Sequence, residues 1–117
     1  MSNEFTFKSS ISDEDLTYLI VAALEGGINY WCDKVRIVSD PAEKEIASDV
    51  IAGGGTIKLW FDGVDANPIL TKEKLLKGVA RYCQENNILA EEMMENHDAD
   101  TADQIIQFAM FDEIVFG

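Results

Sequence analysis

Residues 56–62 read Thr-Ile-Lys-Leu-Trp-Phe-Asp, an alternation of polar and apolar side chains that is typical of a half-buried β-strand. The three apolar residues Ile, Leu and Phe share one face, because successive side chains of a strand point to opposite sides. Three glycines at positions 53–55 precede the strand and mark a turn. A second strand is predicted at residues 30–38, which are rich in aromatic and β-branched types.

Helical patterns flank these two strands. Ser12 and Asp15 form a capping box at the start of one helix, and Thr71 caps another. Gly26-Gly27 is predicted to end the first helix, because glycine adopts the left-handed conformation at a helix C-terminus at low cost. Further helices are predicted from Asp40-Pro41 onward, at residues 88–95 and at residues 100–110. Further short strands are predicted at residues 5–7 and 114–116, and a brief extended contact is predicted at residues 68–70.

The strands are few, and the helices do not alternate cleanly with them. We therefore predict an α+β fold, in which a small mixed or antiparallel sheet packs with three to five helices. A length of 117 residues suits a single domain over residues 1–117. The first predicted helix is apolar on two faces, which favours either burial on both sides or a homo-oligomer.

The start of the sequence lacks the basic segment and apolar run of a signal peptide. The longest apolar run is far shorter than the roughly 20 residues that span a bilayer. A cytoplasmic protein with no membrane contact is therefore expected, with Cys32 and Cys83 as reduced thiols.

The charge is strongly negative and unevenly distributed. The chain carries a net charge of −13, and residues 82–117 contain nine acidic residues but no lysine or arginine. Such a charge repels nucleic acids and anionic membranes, so direct nucleic-acid binding is not expected. It favours a partner protein with a basic surface.

The residues for catalysis or metal binding are poorly represented. His97 is the only histidine, and no nucleophile accompanies it in sequence, so we predict that the chain is not an enzyme. Asp98 and Asp100 lack the spacing of a calcium-binding loop. They fit the start of a helix, where negative charge meets the helix dipole. No metal site and no cofactor are predicted.

The helix at residues 100–110 carries a polar stripe opposite an apolar one. The pattern favours a solvated polar face. Since no lysine or arginine balances the acids nearby in sequence, we interpret this face as a partner-binding surface. The predicted partner-binding residues are Glu91, Glu92, Glu95, Asp98, Asp100, Asp103 and Gln107.

An alternative site lies between the first helix and the strand that follows it. Here an acid, a flexible bend and two aromatic residues occupy seven positions, and a planar ligand could stack on an aromatic ring. Core packing is the competing interpretation of the aromatic residues. The candidate ligand-binding residues are Glu25, Gly26, Gly27, Tyr30, Trp31 and, if the two strands pair, Trp60.

Two motifs resemble a family of small acidic proteins encoded by bacteriophages and prophages. The motifs are Glu-Gly-Gly-x-x-Tyr-Trp at residues 25–31 and Asp-Ala-x-Thr-Ala-Asp at residues 98–103, followed by Gln107 and Phe111. The sequence Val-Phe-Gly at residues 115–117 stands where the family has Val-Tyr-Gly. The resemblance implies no activity; it implies a phage-type accessory protein acting in a bacterial host.

Three functions are consistent with these patterns. The first is an inhibitory, anti-defence binding protein that blocks a basic nucleic-acid-binding site of a host protein. The second is an oligomeric sponge that binds a small nucleotide-like ligand through an aromatic pocket. The third is a structural or assembly module without a ligand.

Overall fold

The computed structural model describes residues 9–39 and 46–117, and within these ranges the chain adopts an α+β fold. Its regular structure there consists of five α-helices, one π-helical turn and a three-stranded antiparallel sheet. The predicted fold class is confirmed. The predicted strand at residues 5–7 and the predicted helix start at Asp40-Pro41 lie outside the described residues.

The helices are α1 (Asp13–Ala22), α2 (Ala47–Val50), α3 (Lys72–Asn86), α4 (Ala90–Asn96) and α5 (Ala99–Phe111). Side-chain caps begin three of them. Ser12, Thr71 and Asp98 each accept a hydrogen bond from the backbone N–H three residues ahead. These are the caps that the sequence patterns indicated.

The end of the first helix differs from the prediction. A π-helical turn, Ala23–Gly27, continues α1, and Gly26 has a φ of 178°, so the predicted left-handed glycine cap is wrong. Gly27 has a different role, because a Cβ atom there would lie 2.6 Å from the carbonyl oxygen of Ala99. Glycine at this position lets the start of α5 pack directly against the π-helical turn.

The sheet has the order β1-β2-β3, with β1 at Lys34–Ser39, β2 at Thr56–Trp60 and β3 at Ile69–Leu70. Both pairings are antiparallel, and Lys34 lies opposite Trp60. Ile57 and Leu59 are buried on the face that packs on the helices. Residues 56–60 therefore show the alternating burial that the sequence predicted.

Two predicted strand segments are not strands. Tyr30 and Trp31 belong to a turn, because the N–H groups of Trp31 and Cys32 both bond to the carbonyl of Ile28, at 3.0 and 2.8 Å. The strand begins only at Lys34. Residues 114–116 follow α5 without strand pairing, and a side chain of α5 binds their backbone instead.

The core lies between the sheet, α1, α3 and α5. Gly78 allows α3 and α5 to approach closely, since a Cβ atom there would lie 2.4 Å from the carbonyl oxygen of Ile105. On α1, the second apolar face is only partly buried. Its Tyr18 remains 49% exposed and donates a hydrogen bond to Glu14 at 2.6 Å.

Candidate functional site

The polar stripe of α5 is buried rather than solvated at two of its positions. Asp103 is 8% exposed and Gln107 is 0% exposed, so their prediction as partner-binding residues is wrong. The sequence pattern missed this burial because the groups that satisfy both side chains come from residues 30–31 and 115–116.

Asp103 binds the turn that follows the first helix. Its Oδ1 accepts hydrogen bonds from Trp31 Nε1 at 2.7 Å and from Gln107 Nε2 at 2.9 Å, and its Oδ2 accepts one from the Tyr30 hydroxyl at 2.5 Å. A buried carboxylate requires such donors, because an unpaired buried charge costs several kcal/mol. Desolvation of the hydroxyl, together with its hydrogen bond to Asp103 and the charge of that residue, raises the pKa of Tyr30 to about 12.

Gln107 holds the segment that follows α5. Its Oε1 accepts hydrogen bonds from the backbone N–H groups of Val115 and Phe116, both at 2.8 Å. Its Nε2 donates to the carbonyl oxygen of Phe116 at 3.1 Å. The side-chain amide of Gln107 thus satisfies backbone hydrogen-bonding groups of residues 115–116 that a neighbouring strand would otherwise have paired with.

An aromatic cluster covers this network. The rings of Trp31 and Phe116 are stacked, with centroids 5.0 Å apart and planes 5° apart. Phe61 and Phe111 contact Trp31 edge-on at 6.0 and 5.5 Å. Trp31 is therefore a core side chain with 5% exposure, and its predicted role as an open stacking platform is wrong.

Trp60 lies apart from this cluster. It alternates with the buried Leu59 and so faces the other side of the sheet. The Nζ atoms of Lys34 and Lys58 lie 5.1 and 4.7 Å from its ring centroid. The structure therefore does not combine Trp60 with Tyr30 and Trp31 in one aromatic pocket, as the alternative site required. Glu25 and Gly26 are exposed, and Gly27 is buried against α5.

An open cleft of about 340 Å³ lies beside the aromatic cluster. Its aromatic lining comes from Tyr30, Trp31 and Phe116. Asp33 and Asp62 also line it, and both are exposed. Sequence reasoning missed these two aspartates. Their signal was their position close to aromatic residues, immediately before β1 and just after β2.

The other predicted partner-binding residues are exposed at α4 and the start of α5. They are Glu91, Glu92, Glu95, Asp98 and Asp100. Two also have internal roles. Glu91 accepts a hydrogen bond from the Ser10 N–H, and the hydrogen bond to the Thr101 N–H lowers the pKa of Asp98. In the described part of the chain, ion pairs form at other acids, and none involves these five.

A larger groove of about 630 Å³ runs beside α3. Its lining is mostly apolar and includes Leu76, Val79 and Cys83, with Leu89 from the segment before α4. Burial raises the pKa of the Cys83 thiol, which disfavours its reactive thiolate form. The groove thus offers mainly apolar contact surface and no reactive polar group that the described residues reveal.

Reactive groups do not converge in the described ranges. His97 is half-buried, and its Nδ1 lies 2.8 Å from the carbonyl oxygen of Met94. Cys32 and Cys83 are free thiols. Among residues 9–39 and 46–117 there is no group of three or more metal-ligating side chains, and no helix there is long and apolar enough to cross a membrane.

The acidic surface, the Asp103–Gln107 network and the cleft are thus the three features available for a functional argument. The acidic surface carries unneutralised negative charge, and the Asp103–Gln107 network is buried inside the fold. The cleft combines aromatic rings with carboxylates. Comparison with protein-family models, with curated proteins and with solved structures finds no match to this chain.

Proposed function

We propose that this chain is a non-enzymatic, phage-type inhibitory binding protein. Its acidic surface at α4 and the start of α5 occupies a basic, nucleic-acid-binding surface of a bacterial host protein. The protein acts in the host cytoplasm and binds stoichiometrically, in the manner of an anti-defence protein. The phage context comes from the resemblance of the two sequence motifs, and the binding mode comes from the surface charge.

One observation carries the proposal. The exposed acids of α4 and the start of α5 have no ion-pair partner in the described part of the chain, whereas Asp13, Glu85 and Asp112 pair with Lys72 or Arg81. Within the described ranges, the five negative charges between residues 91 and 100 are therefore not neutralised by an ion pair. A basic partner would be attracted to this surface over about 8 Å at physiological salt.

The geometry gives less support to a sponge for nucleotide-like ligands. Trp31 is covered by Phe116, and Trp60 faces the other side of the sheet. Asp33 and Asp62 line the cleft beside Tyr30, where two negative charges oppose a phosphate group.

The test uses two variants with equal net charge. Glu92→Lys/Glu95→Lys reverses two charges on α4, and Asp65→Lys/Glu113→Lys reverses two exposed charges elsewhere. Both variants replace two negative charges with two positive ones, so both carry −9 instead of −13. The wild-type chain captures its partner from a bacterial lysate, and association rates are then measured at low and high salt.

We expect the α4 variant to associate about tenfold more slowly at low salt, because steering by charge changes association rates by this order or more. The difference should shrink at high salt, and the control variant should behave more like wild type. Duplex DNA should compete for the same partner. If the association rate falls by the same factor in both variants, or if DNA does not compete, the proposed acidic interface is wrong.

A further inference from the structure

The cleft beside Tyr30 has the chemistry of a receptor for a cationic side chain. We propose that it binds the guanidinium group of an arginine from the basic partner. This inference rests on the proposed function, because it names the chemical group of the basic partner that this protein recognises. It adds a specific contact to what would otherwise be a general attraction between opposite charges.

The aromatic side of the cleft is held in place from within the fold. The Tyr30 hydroxyl is bound to the buried Asp103, while the ring itself belongs to a residue that is 58% exposed. Phe116 is held by its stacking on Trp31 and by the hydrogen bonds of its backbone to Gln107. Aromatic faces attract cations, and rings fixed before binding lose little conformational entropy when the ligand arrives. Asp103 and Gln107 are therefore positioning residues for this cleft.

The carboxylate side comes from the sheet. Asp33 directly precedes β1, and Asp62 lies two residues after the end of β2. The antiparallel pairing of Lys34 with Trp60 brings both aspartates to the same end of the two strands. Within the described ranges, neither aspartate takes part in an ion pair. Two exposed carboxylates beside aromatic rings favour a cation and oppose a phosphate.

The combination favours arginine over lysine. A guanidinium group is planar, so it can stack on a ring while its N–H groups bond to a carboxylate. A lysine ammonium is a compact and strongly hydrated point charge that loses more hydration in the same place. A volume of about 340 Å³ leaves room for one such side chain rather than for a folded segment.

The experiment uses a small probe, so it does not depend on the partner. N-acetyl-arginine amide is titrated into ¹⁵N-labelled protein, and the indole N–H signals of the two tryptophans are followed by NMR, with Trp60→Phe used to assign them. N-acetyl-citrulline amide is the uncharged isostere, and N-acetyl-lysine amide tests the ammonium group. We expect a saturable shift of the Trp31 signal with arginine, a weaker response with lysine and none with citrulline.

Variants then connect the response to the cleft. Asp33→Asn and Asp62→Asn should each weaken arginine binding about fivefold, as expected for loss of an exposed ion pair. Asp65→Asn removes an exposed carboxylate outside the cleft and should leave binding unchanged. Because all three positions are exposed, the variants should keep the fold. Equal responses to arginine and citrulline, equal affinity for lysine, or unchanged binding in both cleft variants would overturn the proposal.

The two proposals fail in different ways. If arginine amide does not bind but the α4 variant associates slowly with the partner, the acidic interface stands and the cleft assignment is wrong. If arginine amide binds but the association rate with the partner is the same for the α4 variant and the wild type, the cleft assignment stands and the acidic interface is wrong.

Discussion

Asp103 shows how one residue changes the interpretation of the whole C-terminal region. By helical periodicity it belongs to a polar face, and only its contacts with Tyr30 and Trp31 reveal that it is internal. Those partners lie 73 and 72 positions away in sequence, so no local pattern could identify them. The polar stripe of α5 was interpreted as a solvated face. At Asp103 and Gln107, however, its side chains are buried and form an internal hydrogen-bond network.

Asp103→Asn tests this role. An asparagine keeps the shape but removes the charge, and its Nδ2 would face a donor in place of one acceptor oxygen. We expect the free energy of unfolding in urea to fall by about 1–3 kcal/mol, the cost of leaving buried polar groups unsatisfied. Glu113→Gln, at an exposed position after the same helix, should stay within about 0.5 kcal/mol. Similar losses in both variants would contradict a specific role for Asp103.

Ionisation of Tyr30 should lower the free energy of unfolding at alkaline pH. Its pKa is about 12 in the folded protein and about 10 in an unfolded chain, so the folded state holds the proton more tightly. This contribution is complete below pH 10 and is lost as the pH rises through 10 to 12.

An absorbance titration of the tyrosines checks this expectation, because Tyr30→Phe should remove a late ionisation step. The pKa of Tyr18 is also raised, chiefly by its hydrogen bond to Glu14, so Tyr18→Phe is the comparison. If Tyr30→Phe leaves the ionisation above pH 11 unchanged, the assignment is wrong.

At the scale of elements, local signals predicted well and long-range ones did not. The caps at Ser12 and Thr71 and the strand at residues 56–60 follow from neighbouring residues, and the structure confirms them. Tyr30 and Trp31, which lie in the turn at residues 28–32, were predicted to begin a strand, because aromatic residues have high β propensity. Their rings pack in the aromatic cluster and their backbone groups bond within the turn, so tertiary contacts outweighed propensity.

The contact between α3 and α5 gives a prediction with an unusual sign. Alanine normally stabilises a helix relative to glycine by up to about 1 kcal/mol. At Gly78, however, an added methyl group would overlap the backbone of Ile105, so the two helices would have to separate. We expect Gly78→Ala to lower the free energy of unfolding by about 1–3 kcal/mol, the usual cost of overpacking.

Gln84→Ala is the matched control, because Gln84 is an exposed residue of the same helix. Its effect in urea unfolding should be small. A stabilised Gly78→Ala protein would mean that the two helices are less closely packed than the structure shows.

At the scale of the whole molecule, self-association remains a prediction. Tyr18, Leu76 and Leu89 are large apolar or aromatic side chains with substantial exposure. A net charge of −13 opposes contact between copies, and added salt screens that repulsion. We therefore expect a dimer or larger assembly whose population rises with ionic strength. Light scattering that gives the monomer mass of 13.0 kDa at all salt concentrations would exclude it.

The attachment of residues 115–116 to Gln107 has a kinetic consequence. Val115 is 39% exposed as a residue, yet its amide hydrogen is bonded to the side-chain oxygen of the fully buried Gln107. That hydrogen can exchange with heavy water only when the segment detaches, so its exchange rate measures the frequency of detachment. The same event removes Phe116 from Trp31. Exchange at Val115 and Phe116 should therefore accelerate together in Gln107→Ala, and should slow together when arginine amide occupies the cleft.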